Sequence, residues 1–109
     1  MKKIGYAAAL LLLLATPALA DAKKTSNGVV LECKVTGSGE DGFDITADNT
    51  SGSADRNCTA SCKLSKGGSS VEKTYPETRV AKGFKAWVGG EAGMHGKLSN
   101  PNITSGSCR

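Results

Sequence analysis

The stretch that decides the fold is Cys58-Thr59-Ala60-Ser61-Cys62-Lys63-Leu64-Ser65. Its even-numbered residues are apolar and its odd-numbered residues are polar, which is the period of two that a half-buried β-strand shows. Both cysteines therefore face the core. Residues four apart in a strand are separated by about 13 Å, whereas the two Cα atoms of a disulfide lie within roughly 7 Å. A bond between Cys58 and Cys62 is therefore not expected.

The same alternation recurs on both sides of this strand. It predicts further strands at Val29–Thr36, Phe43–Asp48, Val71–Tyr75 and Phe84–Val88, and a last short strand within Lys97–Cys108. In the fifth strand the parity assigns Phe84, Ala86 and Val88 to the core and turns Lys85 and Trp87 outward. Pro76 ends the fourth strand, because proline lacks a donor for the ladder.

These short strands, spaced by glycine-, asparagine- and serine-rich turns, predict an all-β protein. No segment after residue 20 sustains the apolar spacing of a helix. We expect a small antiparallel β-sandwich over residues 28–109, preceded by a polar, flexible leader at Asp21–Asn27. In architecture it resembles an immunoglobulin-like sandwich, although the order Cys, Trp, Cys and the tyrosine corner of antibody domains are missing.

The first 20 residues are typical of a bacterial secretion signal. Lys2 and Lys3 precede an apolar segment, and Ala18-Leu19-Ala20 forms a cleavage site with small residues at its first and third positions. The alternative, a membrane anchor, needs about 20 apolar residues, and the apolar run at Ile4–Ala15 is shorter than that. We expect cleavage before Asp21, no membrane span in the mature chain, and a periplasmic or secreted location.

The four cysteines, at positions 33, 58, 62 and 108, all belong to the predicted mature chain. An even number in an exported chain predicts two disulfides. The alternative, a zinc site, lacks a second closely spaced pair of Cys or His. If the strands alternate in direction, the last strand ends where the third begins. Cys108 then pairs with Cys58, which leaves Cys33 for Cys62.

The composition does not favour catalysis or nucleic-acid binding. The mature chain would carry 12 basic and 10 acidic residues, and no block of five like charges, the pattern of a nucleic-acid-binding tail, occurs. His95 is the only histidine and lies in a glycine-rich loop, Gly89–Gly96, which would position a catalytic base poorly. Met94 and His95 alone do not complete a copper site. The acidic residues of the first hairpin do not follow a calcium-loop pattern. We expect no enzyme activity and no cofactor.

The function expected from the sequence is therefore binding or a structural role. Lys85 and Trp87 are the candidate contact residues, because an exposed aromatic beside a cation is common at binding hot spots. The alternative is that the leader or a loop covers Trp87. The expected partner is a protein or glycan of the cell envelope. A second hypothesis is a secreted inhibitor of a protease or lysozyme-type enzyme that presents loop 49–57 or loop 89–96.

Overall fold

The structure is a computed structural model and describes residues 21–109. The predicted signal peptide, residues 1–20, lies outside the described residues. Within residues 21–109 no helix has the length and apolar character needed to cross a membrane.

The described chain forms seven antiparallel strands in two sheets. Their bounds are β1 Asp21–Ser26, β2 Val29–Thr36, β3 Gly42–Asp48, β4 Arg56–Lys66, β5 Ser69–Val80, β6 Lys85–Glu91 and β7 Leu98–Cys108. One sheet has the order β1-β2-β3-β6 and the other the order β5-β4-β7. The predicted all-β sandwich is confirmed.

The core lies between the two sheets and follows the alternation read from the sequence. Strand β4 contributes its even-numbered residues 58, 60, 62 and 64, all buried. Strands β2 and β3 contribute alternate residues in the same way, and the buried apolar residues of these two strands are Val29, Leu31, Cys33, Phe43, Ile45 and Ala47. Side chains that alternate between faces thus fill one shared interior.

Both disulfides originate from β4, and they have the connectivity derived from strand direction. Cys33–Cys62 links β2 in one sheet to β4 in the other, with a Cα–Cα distance of 6.3 Å. Cys58–Cys108 links β4 to its neighbour β7, where the two residues stand opposite each other in the register. One bond therefore joins the two sheets, and the other joins two strands within a sheet.

The strand order differs from that of an immunoglobulin domain. In a constant-type immunoglobulin domain the first, second, fifth and fourth strands form one sheet. Here the first three strands are neighbours and the sixth completes the sheet. The chain crosses between the sheets after β3, after β5 and after β6. The strands therefore do not follow the simple up-and-down order that was assumed in deriving the cysteine pairs. The cysteine pairing survives because β4 and β7 are antiparallel neighbours.

The prediction of a flexible leader at Asp21–Asn27 is wrong. Residues 21–26 form β1, which pairs with β2 from Asp21 opposite Lys34 to Ser26 opposite Val29. The two strands are joined by Asn27 and Gly28, which have φ angles of 48° and 82°. Positive φ at both positions of a two-residue loop is the geometry that favours Asn-Gly in hairpins.

Several strands extend beyond their predicted bounds, and the two that do so across a proline, β5 and β7, lie at sheet edges. The expectation that Pro76 ends its strand is wrong. β5 continues through Pro76 to Val80, and β7 begins at Leu98 and includes Pro101. A proline is tolerated in an edge strand because its missing donor can face away from the neighbouring strand. The pairing of β5 with β4 also shifts register between Cys58 and Ala60, which accommodates one extra residue on β5 beside Pro76.

We predict that Cys58→Ser combined with Cys108→Ser lowers the Tm steeply. The bond closes a loop with a sequence separation of 50 residues. In the chain-entropy model such a loop contributes about 4 kcal/mol, which corresponds to a fall in Tm of roughly 15 °C or more in a domain of this size. Thermal unfolding followed by circular dichroism measures it, with Ala54→Ser at an exposed position as the control. A Tm that full reduction leaves unchanged would contradict the role given to the disulfides.

Candidate functional site

The candidate contact residues lie on the outer face of β6, at one edge of the four-stranded sheet. Lys85 stands opposite Asp48 of β3, and Trp87 stands opposite Thr46. Both side chains are exposed, and Trp87 retains 60% of its accessible surface. β1 occupies the other edge of this sheet, so the segment expected to be a leader does not cover Trp87.

The indole ring of Trp87 is held in place although it is exposed. Its Nε1–H donates a hydrogen bond of 3.0 Å to Oδ1 of Asp44 on β3. The polar end of the ring is thereby paired within the protein, while most of its apolar surface faces solvent. A fixed, exposed aromatic surface loses little conformational entropy when a partner covers it.

A β-bulge in β6 lies directly beside Trp87. Ile45 pairs with Gly89 and Thr46 pairs with Trp87, so Val88 is the extra residue on β6. Val88 and Gly89 are consequently both buried, in consecutive positions. Bulges reorient the side chains next to them, and they frequently occur beside functional sites.

Tyr75, on β5, packs against this bulged part of β6. A Cβ on Gly89 would lie only 2.3 Å from Cγ of Tyr75, so the aromatic ring lies directly against the glycine. Burial, together with the negative charge of Glu91, raises the pKa of the Tyr75 phenol. Beside the ring, Nζ of Lys73 lies 3.0 Å from a carboxylate oxygen of Glu91. Strands β5 and β6 are thus joined across the gap between the sheets.

The assignment of Phe84 to the core is wrong, because its side chain is 66% exposed. β6 begins one residue later, at Lys85, and Phe84 ends a turn in which its N–H donates to the carbonyl of Ala81 at 3.1 Å. Gly83 in this turn has a φ angle of 85°, which reverses the chain, so the alternation of inward and outward side chains starts only after Phe84. Ala86 and Val88, by contrast, face inward, Ala86 partly buried and Val88 buried.

The glycine-rich loop expected at Gly89–Gly96 is shorter and more constrained than predicted. Its first three residues belong to β6. The N–H of Met94 in the remaining loop donates to the carbonyl of Asp41 in the β2–β3 loop, and the N–H of Leu98, the first residue of β7, donates to that of Glu40. Met94 packs against the core, whereas His95 is exposed with a φ angle of 58°.

The polar groups of residues 21–109 do not converge as a metal site requires: no three His, Cys, Asp or Glu side chains come together there. The fold and this face together define a small, disulfide-linked β-sandwich that displays a fixed tryptophan on an edge strand. No family model matches the chain, and no curated protein or solved structure matches it.

We predict that Gly89→Ala destabilises the domain by about 1–3 kcal/mol, the usual cost of overpacking. The added methyl group would displace the Tyr75 ring and separate β5 from β6. Gly68→Ala is the matched control, because a Cβ there meets no atom within 4 Å and Gly68 does not have a positive φ. Urea unfolding measures both variants. Equal stabilities would mean that Tyr75 does not pack on Gly89.

Proposed function

We propose that this protein is a non-enzymatic binding domain of the cell envelope, directed to export by a signal peptide at residues 1–20 that is then cleaved. It works in the periplasm or outside the cell, where oxidising conditions permit its two disulfides. Its partner is a protein or glycan, which it contacts through Lys85 and Trp87.

The observation that carries this proposal is the exposure of Trp87. The domain has few aromatic residues, and it packs Phe43 and Tyr75 against each other with ring centroids 6.4 Å apart. Trp87 could add a large apolar surface to the interior, yet it lies outside and is held there by Asp44. Truncation of such an anchor typically costs a complex more than about 2 kcal/mol.

Lys85 supports the same site through its charge. It takes part in none of the ion pairs between described residues, which are Lys73–Glu91, Arg79–Asp55, Lys97–Glu40 and Arg109–Glu77. Its register neighbour Asp48 accepts hydrogen bonds from the hydroxyl and the backbone N–H of Thr50, and chiefly these bonds lower the pKa of Asp48. An ammonium group without an ion-pair partner beside an aromatic ring suits an acidic or hydroxyl-rich contact.

A second candidate function, the secreted inhibitor, is favoured by the hydrogen bonds that fix the conformation of the loop between β3 and β4, residues 49–55. Asn49 is buried, and its Nδ2 donates to the carbonyls of Ala54 and Val80 at 3.0 and 3.1 Å. Asp55, at the end of the same loop, accepts a hydrogen bond of 2.9 Å from the backbone N–H of Lys82. Such ties stiffen a loop, and a preorganised loop binds at a lower entropic cost.

Affinity capture from a periplasmic extract tests both candidates. We predict that Trp87→Ala abolishes capture and leaves the unfolding transition unchanged, because the side chain contributes little to the core. Lys85→Ala should weaken capture in a salt-dependent manner. The catalytic activity of the captured partner distinguishes the inhibitor from the other binding roles.

His95→Ala is the control for this experiment, since His95 is exposed on a loop at the far end of β6. It should capture the partner as the wild type does. Undiminished capture by Trp87→Ala would contradict the proposed site.

A further inference from the structure

One end of the sandwich carries an excess of basic side chains. We call it the basic end; it consists of the turn at 27–28, the segments 48–57 and 77–85, and residues 108–109. Its basic side chains are Arg56, Arg79, Lys82, Lys85 and Arg109, and its acidic side chains are Asp48, Asp55 and Glu77. Phe84 lies at this end, between the two lysines.

The carboxylates of the basic end are already engaged. Asp55 accepts a hydrogen bond from the backbone N–H of Lys82 and pairs with Arg79, and these bonds lower its pKa. Glu77 lies 2.8 Å from the guanidinium of Arg109. Lys82 and Lys85 form no ion pair with any described residue. Three cations of the basic end, Arg56, Lys82 and Lys85, are therefore without an ion-pair partner among the described residues, and the two lysines lie on either side of Phe84.

Phe84 is exposed by a fixed turn. Its N–H donates to the carbonyl of Ala81, and its carbonyl accepts a hydrogen bond of 2.9 Å from the N–H of Asn49. The carbonyl of Asn49 accepts a further bond of 3.0 Å from Gly83. Because Asn49 itself is buried, the turn is attached to the core through Gly83 and Phe84.

The neighbouring loop leaves the approach to Phe84 open. Apart from Asp55, whose carboxylate pairs with Arg79, its exposed side chains are small and uncharged: Thr50, Ser51, Ser53 and Ala54. A flat surface can therefore meet the turn without encountering a bulky side chain or an unpaired carboxylate from this loop.

We propose that Lys82, Phe84 and Lys85 form a docking site for an anionic phospholipid bilayer. An aromatic side chain between two cations suits such a surface, because the ring enters the boundary of the acyl chains while the ammonium groups meet the phosphates. One ring and two lysines give weak, reversible attachment. The site goes beyond the proposed function, since it uses Phe84 in place of Trp87.

Sedimentation with vesicles tests this proposal, using the oxidised protein purified from the envelope at low ionic strength. We expect binding to phosphatidylglycerol vesicles and little binding to phosphatidylcholine vesicles. Phe84→Ala should lower the partition coefficient about tenfold, as expected for the loss of a buried aromatic ring. Lys82→Ala should lower it about fivefold.

Two control variants separate this site from other contacts. Lys97→Ala removes the same charge from the opposite end of the sandwich and should leave vesicle binding unchanged. Trp87→Ala should bind vesicles normally while it loses its captured partner, so the two proposals fail independently. The docking site is overturned if phosphatidylglycerol is not bound, if phosphatidylcholine is bound equally, if Phe84→Ala binds as the wild type does, or if Trp87→Ala loses vesicle binding.

Discussion

The rest of the structure depends on the attachment of β4 at two points. Four residues apart on this strand, Cys58 is bonded to β7 in the same sheet and Cys62 to β2 in the facing sheet. A chain of this size buries a smaller share of its surface than a larger domain does, so hydrophobic packing leaves it a small margin of stability. The cross-links restrict the unfolded chain and thereby add to that margin.

A scaffold fixed in this way can expose aromatic residues that a less stable domain would need in its core. The Phe43 ring is buried in the core, and the partly buried Tyr75 ring packs against it and against Gly89 of β6. On the outer surface of β6, Trp87 is oriented by its hydrogen bond to Asp44. The function proposed for this protein thus depends on Trp87, whose ring is exposed on a rigid strand and does not contribute its full apolar surface to the core.

Local patterns predicted much of the fold, and contacts between distant strands explain what they missed. Alternation located β4, and strand direction then identified the cysteine pairs. The signal for β1 was present in Asn27-Gly28, but its polar composition favoured a leader. The burial of consecutive residues at Val88 and Gly89 depends on the Tyr75 ring from another strand, which no local pattern reveals.

The sequence also predicted part of the candidate site, namely the outward orientation of Lys85 and Trp87, but not the exposure of Phe84. Parity turned Lys85 and Trp87 outward, because both lie within the regular part of β6 before the bulge. Phe84 was misassigned because the first residue of the strand is decided by the Gly83 turn and by its hydrogen bonds to Asn49. Those bonds join positions that are far apart in the sequence, so the alternation of apolar and polar residues cannot by itself locate the start of β6.

The displayed indole is also the group that is easiest to observe, since Trp87 is the only tryptophan in the chain. Acrylamide quenching of its fluorescence, compared between the folded and the urea-unfolded protein, measures its exposure most directly. We predict red-shifted emission and a quenching constant in the folded state that is at least half of the unfolded value. Blue-shifted emission that acrylamide does not quench would contradict the account, because Trp87 would then belong to the core.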